Sequence, residues 1–173
     1  MDHKKFITYI NSFLGYNRHN GITLVELEEG HSVVEAKLTR ESMNPQGSAH
    51  GGLMFSLADT AAGCACLSHG RVAVTLSGNA NYLAPGKGAW LRAEALEQHY
   101  GSKTAVYRVI ETDPTGKTVA EFTITYFLTD KTIEQQKKSP KETSLGDVCV
   151  KLIFFCRAQA RGLRLVPHRC KPK

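Results

Sequence analysis

Asp59 lies in the run Phe55-Ser56-Leu57-Ala58-Asp59-Thr60-Ala61-Ala62, with no lysine or arginine within a helical turn of it. A carboxylate among apolar neighbours is costly unless donors or a cation hold it. Facing a cleft, such a group is a desolvated general base or nucleophile. The plainer alternative bonds it to a nearby backbone donor or to a local water pocket. A second feature precedes it, Ala49-His50-Gly51-Gly52. Two glycines in a first helical turn weaken the helix, but they leave N–H groups approachable at the positive end of its dipole, where an oxyanion can be held. Close packing on a sheet would equally explain Gly51 and Gly52, and a surface position would explain His50. The spacing adds a constraint. His50 and Asp59 are nine residues apart, which on a helix is about 900° and about 13 Å of rise, half a turn out of phase. One chain cannot bring both to one reacting atom, so a site that uses both is built from two chains, and a two-fold dimer builds two such sites.

The elements that must carry these residues follow from periodicity. Phe6, Ile7, Ile10, Phe13 and Leu14 mark a helix over 3–14 with Gly15 as its stop. Alternation over 22–39 marks a hairpin turning at Glu28-Glu29-Gly30, and Asn44-Pro45-Gln46-Gly47 is a turn. Ser48 is read as the N-cap of a helix over 49–68, ended by His69-Gly70. That helix is apolar nearly all round, so it is expected to be wrapped on every side. Four strand-like runs follow, 72–83, 89–98, 104–112 and 118–129. Their links are too short for parallel crossovers, which predicts a sequential antiparallel meander. The expected fold is α+β: a curved antiparallel sheet of about six strands around one long central helix.

Composition bounds the rest. The chain has 173 residues, 42% hydrophobic and 22% charged, which suits one globular domain and excludes collagenous, mucin-like or wholly disordered classes. No apolar run approaches a membrane span, and no signal segment is seen, so the chain is expected in the cytosol. The net charge of +6 is a property of the end of the sequence. Residues 137–173 hold ten of the 22 Lys+Arg against Glu142 and Asp147 alone, and the body is mildly acidic with no basic stripe for nucleic acid. The chain therefore divides into 1–136 and a basic tail, 137–173, read as poorly ordered or non-native, with a membrane-surface or partner-binding segment as the alternative. Five cysteines at irregular spacing make no disulfide framework, and Cys64-Ala65-Cys66 makes no zinc site.

The runs Asn44-Pro45-Gln46-Gly47-Ser48-Ala49-His50-Gly51-Gly52 and Leu57-Ala58-Asp59-Thr60-Ala61 resemble the signature of hotdog-fold acyl-CoA thioesterases of the PaaI type, within the 4-hydroxybenzoyl-CoA thioesterase-like superfamily. The likeness continues through Asn81–Gly86 and His99–Thr104 and covers roughly 5–130. It implies a sheet wrapped round a helix, dimers that pair into tetramers, and no metal or redox cofactor. It implies further that Asp59 activates water or attacks the thioester carbon, and that the Gly51 N–H of a partner chain polarises the carbonyl. By the same resemblance, Asn44 and His50 place the thioester or water and Thr75 assists Asp59. For the substrate, Lys87, Arg92, Lys103 and Arg108 are candidates for the CoA phosphates. Leu53, Met54, Leu57 and Tyr82 are candidates for the acyl pocket, and Gly52 is a candidate for contact with the substrate. A hotdog hydratase or dehydratase, and a non-catalytic acyl-CoA binder, are the competing functions.

Overall fold

The computed structural model describes residues 2–12 and 15–134. The expectations for 137–173, and with them the boundary at 136, lie outside the described residues. Helix α1 (His3–Ser12) and a short helix α2 (Tyr16–His19), which periodicity did not reveal, precede a hairpin of β1 (Ile22–Glu28) and β2 (His31–Lys37). A single 3-10 turn (Arg40–Ser42) leads to the long helix α3 (Gly51–Leu67). Strands β3 (Arg71–Tyr82), β4 (Trp90–Tyr100), β5 (Thr104–Thr112) and β6 (Thr118–Thr132) complete one antiparallel sheet.

The strand order is β1-β2-β4-β5-β6-β3, which corrects the sequential meander. β4, β5 and β6 do run in sequence, but β3 lies at the far edge, paired with β6. The link 83–89 skips from that edge to β4, about three strand spacings or about 14 Å away, within reach of seven residues. On its way it crosses the start of α3, where Ala49 N–H donates to Gly86 O. Loop length excluded a parallel crossover but left this antiparallel skip open.

One face of the sheet wraps α3. Leu53, Leu57, Ala58, Ala61, Ala62 and Ala65 of the helix are buried against inward residues such as Val34, Ala93, Ala105, Tyr107, Val109, Phe122 and Ile124. So many alanines on both sides let helix and strands approach closely. Among the described residues Cys64 and Cys66 are unbridged, and burial pushes their thiols up to about 12 and about 11. Gly70, at φ 81°, turns the chain out of the helix into β3, as its position after His69 predicted.

The helix is not wrapped on every side. Gly52, Phe55, Ser56, Asp59, Thr60 and Gly63, at i, i+3, i+4, i+7, i+8 and i+11, form a strip that stays half-exposed or exposed. Its polar members, Ser56, Asp59 and Thr60, sit on one face at helical spacing, but the many apolar residues on the rest of the helix outweigh them in the overall hydropathy.

Candidate active site

α3 begins two residues later than expected, and its N-cap is His50 rather than Ser48. The His50 Nδ1 accepts from the Gly52 N–H at 2.9 Å, which leaves the proton of a neutral ring on Nε2. Leu53 and Met54 donate to the His50 carbonyl. The Gly51 N–H is then the first-turn amide with no acceptor among the described residues, the arrangement an incoming oxyanion needs. A Cβ on Gly52 would meet the His50 ring at 3.0 Å, so this glycine is what lets the cap form. On Gly51 the nearest neighbour would be the Tyr82 ring at an ordinary 3.5 Å. Packing therefore does not require Gly51.

Ser48 belongs to the preceding turn. The Asn44 carboxamide oxygen accepts from the Gln46 and Ser48 N–H groups, while its nitrogen donates to Ser48 Oγ. The turn presents Asn44 to an open groove of about 390 Å³ beside Gly51, Met54, Tyr82, Ala84, Pro85 and Gly86. The Tyr82 hydroxyl donates to the Gly51 carbonyl at 2.9 Å. Of the residues expected around the acyl chain, Gly51's neighbours Met54 and Tyr82 border the groove, whereas Leu53 and Leu57 are buried in the core.

Asp59 lies two turns further along the open strip and is half-buried rather than buried. No cation pairs with it among the described residues. Two hydroxyls hold it instead. Thr75 Oγ1 donates to Oδ1 at 2.9 Å, and the Tyr126 hydroxyl reaches the same Oδ1 at 2.8 Å and the Asp59 backbone oxygen at 2.7 Å. Thr75 and Tyr126 are directly opposite each other on β3 and β6. A bulge between Thr75 and Ser77 switches the facing parity, so that Thr75 and then Gly78, Ala80 and Tyr82 all point toward α3. Tyr126 was missed from sequence. The signal was there, a tyrosine in phase with the inward residues of β6, but without β3–β6 pairing nothing connected it to Asp59.

The expected phosphate contacts divide. Lys87 is exposed in the link bordering the groove and has no carboxylate partner among the described residues. Arg92 is bridged to Glu26 and Glu35, Lys103 to Asp130, and Arg108 to Glu121. None of the last three lines the groove, and each charge is answered within the chain. Among the described residues no three His, Cys, Asp or Glu side chains converge as a metal-binding group.

This arrangement has relatives. The thioesterase superfamily profile matches residues 46–120, which run from the end of the Asn44–Gly47 turn through the His50 cap, all of α3 and β3 to β5 into the start of β6. The acyl-coenzyme A thioesterase PaaI of Escherichia coli is 41% identical over 103 residues, covering 59% of this chain and 74% of that protein. The structure of the E. coli PaaI protein from the phenylacetic acid degradation operon superposes with a TM-score of 0.68 at 34% identity, over 74% of this chain and 92% of that one. The structure of smu.793 from Streptococcus mutans bound to acetyl CoA superposes with a TM-score of 0.64 at 34% identity, over 70% and 99%. At 41% identity over 74% of the E. coli PaaI thioesterase, and with the fold of that protein's structure, the chain belongs to the thioesterase superfamily as a PaaI-like hotdog protein.

Proposed function

We propose that this protein hydrolyses an acyl-CoA thioester to the free acid and CoA, at a site shared by two copies of the chain. The observation that carries the chemistry is the presence on one helix of a Gly51 amide and a donor-held Asp59, the first without an acceptor and the second without a cation among the described residues. Asp59 takes a proton from water as the water oxygen bonds the carbonyl carbon, or attacks that carbon itself. The developing oxyanion is held by an N–H already fixed in place. The C–S bond then breaks and the thiolate takes up a proton, the one Asp59 took from water in the first branch, to leave as CoA; where Asp59 itself attacked, water then cleaves the acyl-aspartyl anhydride, which releases the acid and restores the carboxylate. The His50 Nε2–H and the Asn44 turn orient the thioester. The groove takes the acyl group, and Lys87 meets a phosphate of CoA.

The shared site is supported by distance and by the edges of the sheet. Gly51 and Asp59 are eight residues apart, about 12 Å along α3, so the Gly51 that serves one Asp59 comes from a second copy. The β1 edge is blocked at Leu24, where the Asn11 side chain both donates to Leu24 O and accepts from Leu24 N. The 12-residue β3 edge has no such cover among the described residues; Leu76 and Tyr82 on it, and Leu83 just after it, are exposed. Open edges of this length are otherwise avoided. Two β3 edges meeting would join two sheets and bring the open strips of two α3 helices face to face. Pairing of such dimers into tetramers belongs to the same proposal.

Release of thiol from a panel of CoA thioesters tests the reading. The wild type turns over at least one member, and Asp59→Ala lowers kcat by two or more orders of magnitude while the oligomer, measured by light scattering, stays intact. Undiminished thiol release by the alanine variant overturns the role of Asp59. A change in enoyl absorbance without free thiol indicates a hydratase. Stoichiometric binding with no turnover indicates a non-catalytic acyl-CoA binder.

A further inference from the structure

We infer that Tyr126 is a positioning residue for Asp59: it anchors Oδ1 from the protein interior, seated against Gly63, and leaves Oδ2 as the reacting oxygen. The inference rests on the hydrolase reading above. Oδ1 receives both hydroxyls, at 2.9 Å from Thr75 and 2.8 Å from Tyr126, and Oδ2 receives no bond among the described residues. A carboxylate held in this way is fixed in rotation, with one lone-pair set spent and the other presented to the open strip.

The two donors are not equivalent. Thr75 is exposed, so a water molecule can replace its hydroxyl if it is removed. Tyr126 is 3% exposed, with its ring inside the core, so its hydroxyl is far less open to replacement by water than that of Thr75. Its seat is also built for it. Gly63 is one helical turn beyond Asp59 on the same strip, and a Cβ there would lie 3.3 Å from the Tyr126 hydroxyl oxygen. The missing side chain is the space through which the phenol reaches Asp59. The hydroxyl also lies 2.7 Å from the Asp59 backbone oxygen. It carries one proton and two acceptors, so it can turn to the backbone oxygen when the carboxylate is protonated or acylated and return when the charge is restored. The anchor therefore survives the cycle without leaving a buried hydroxyl unpaired.

Steady-state thiol release by Tyr126→Phe, Gly63→Ala, the double variant and Thr75→Val tests the role. Tyr126→Phe keeps the ring and removes only the oxygen. We expect kcat to fall about tenfold or more with KM within about twofold, and the melting temperature to stay within a few degrees. Gly63→Ala, which pushes the phenol away without removing it, should reproduce much of that loss. Thr75→Val should cost less than Tyr126→Phe. Because both helix and strand variants act through one bond, Gly63→Ala should add almost nothing in the Tyr126→Phe background. A Tyr126→Phe enzyme with wild-type kcat overturns the inference, as do losses from Gly63→Ala and Tyr126→Phe that multiply independently. Absence of thiol release from the wild type overturns the hydrolase reading and this role with it, whereas an active wild type with an unimpaired Tyr126→Phe overturns this role alone.

Discussion

Glu111 offers a quantitative test of how the core is held. It faces inward on β5 between Ala93 of β4 and Ala120 of β6, with none of its side chain exposed. Neither carboxyl oxygen has a hydrogen-bond partner among the described residues. Burial alone pushes its pKa from 4.5 up to about 9, so the folded protein keeps it protonated at neutral pH. In the unfolded chain it ionises near 4.5. Between those two values the folded state holds one proton more than the unfolded state, so stability is greatest below the lower value and falls as pH rises toward the upper one. The slope is about 1.4 kcal/mol per pH unit. From pH 5 to pH 7 the loss is about 2–3 kcal/mol, and it levels off near pH 9 once the folded state also ionises. Such a loss is a sizeable part of the 5–15 kcal/mol that typically holds a domain. Glu111→Gln has the same shape and no proton to lose. Urea unfolding of both proteins at pH 5, 7 and 8.5, followed by Trp90 fluorescence at one fixed protein concentration, measures the difference. The fixed cost of burying the amide cancels when pH values are compared. The stability of the Gln variant relative to wild type should therefore rise by about 2–3 kcal/mol between pH 5 and pH 7. A gap that stays constant with pH would refute the argument, because the carboxyl would then be reached by water or held by a donor in the folded state.

Two further outcomes are expected. A Cβ on Gly78 would lie 2.6 Å from the Phe55 ring, which stacks edge-on to Phe122 at 5.8 Å. Gly78→Val should destabilise by about 1–3 kcal/mol in urea unfolding and displace Phe55 from the strip that flanks Asp59. Lys87→Glu should raise KM for CoA thioesters several-fold with kcat little changed, and the effect should shrink as salt is added, since an exposed charge acts through screened attraction. An unchanged KM at low salt would remove Lys87 from the CoA site.

The elements were largely legible because each is set by neighbours close in sequence. The alternation over 22–39 and the turn at Gly30 are local, and strands 104–112 and 118–132 follow the runs predicted for them apart from three residues at one end. The half-turn phase between the helix start and Asp59 is likewise fixed by helix geometry alone. Local rules failed at the helix cap. Ser48 has the right chemistry for an N-cap, but its hydroxyl is taken by Asn44 and the imidazole of His50 caps instead. Arg92 and Lys103 were attractive as free cations only because Glu35 and Asp130, which neutralise them, are distant in sequence.

What the amino-acid order settled by itself was the type and approximate span of the main helices and strands, the two glycines at the start of the long helix and the one acid on that helix, all consequences of backbone preferences and periodicity over a few residues. What the tertiary structure decided was which strand lies beside which. By placing β3 next to β6 it set Thr75 opposite Tyr126 over Asp59, and it made β3 an edge strand of the described sheet. Strand order is a choice among pairings that satisfy the same local hydrogen bonds, and only the packing of the whole sheet around α3 selects one of them.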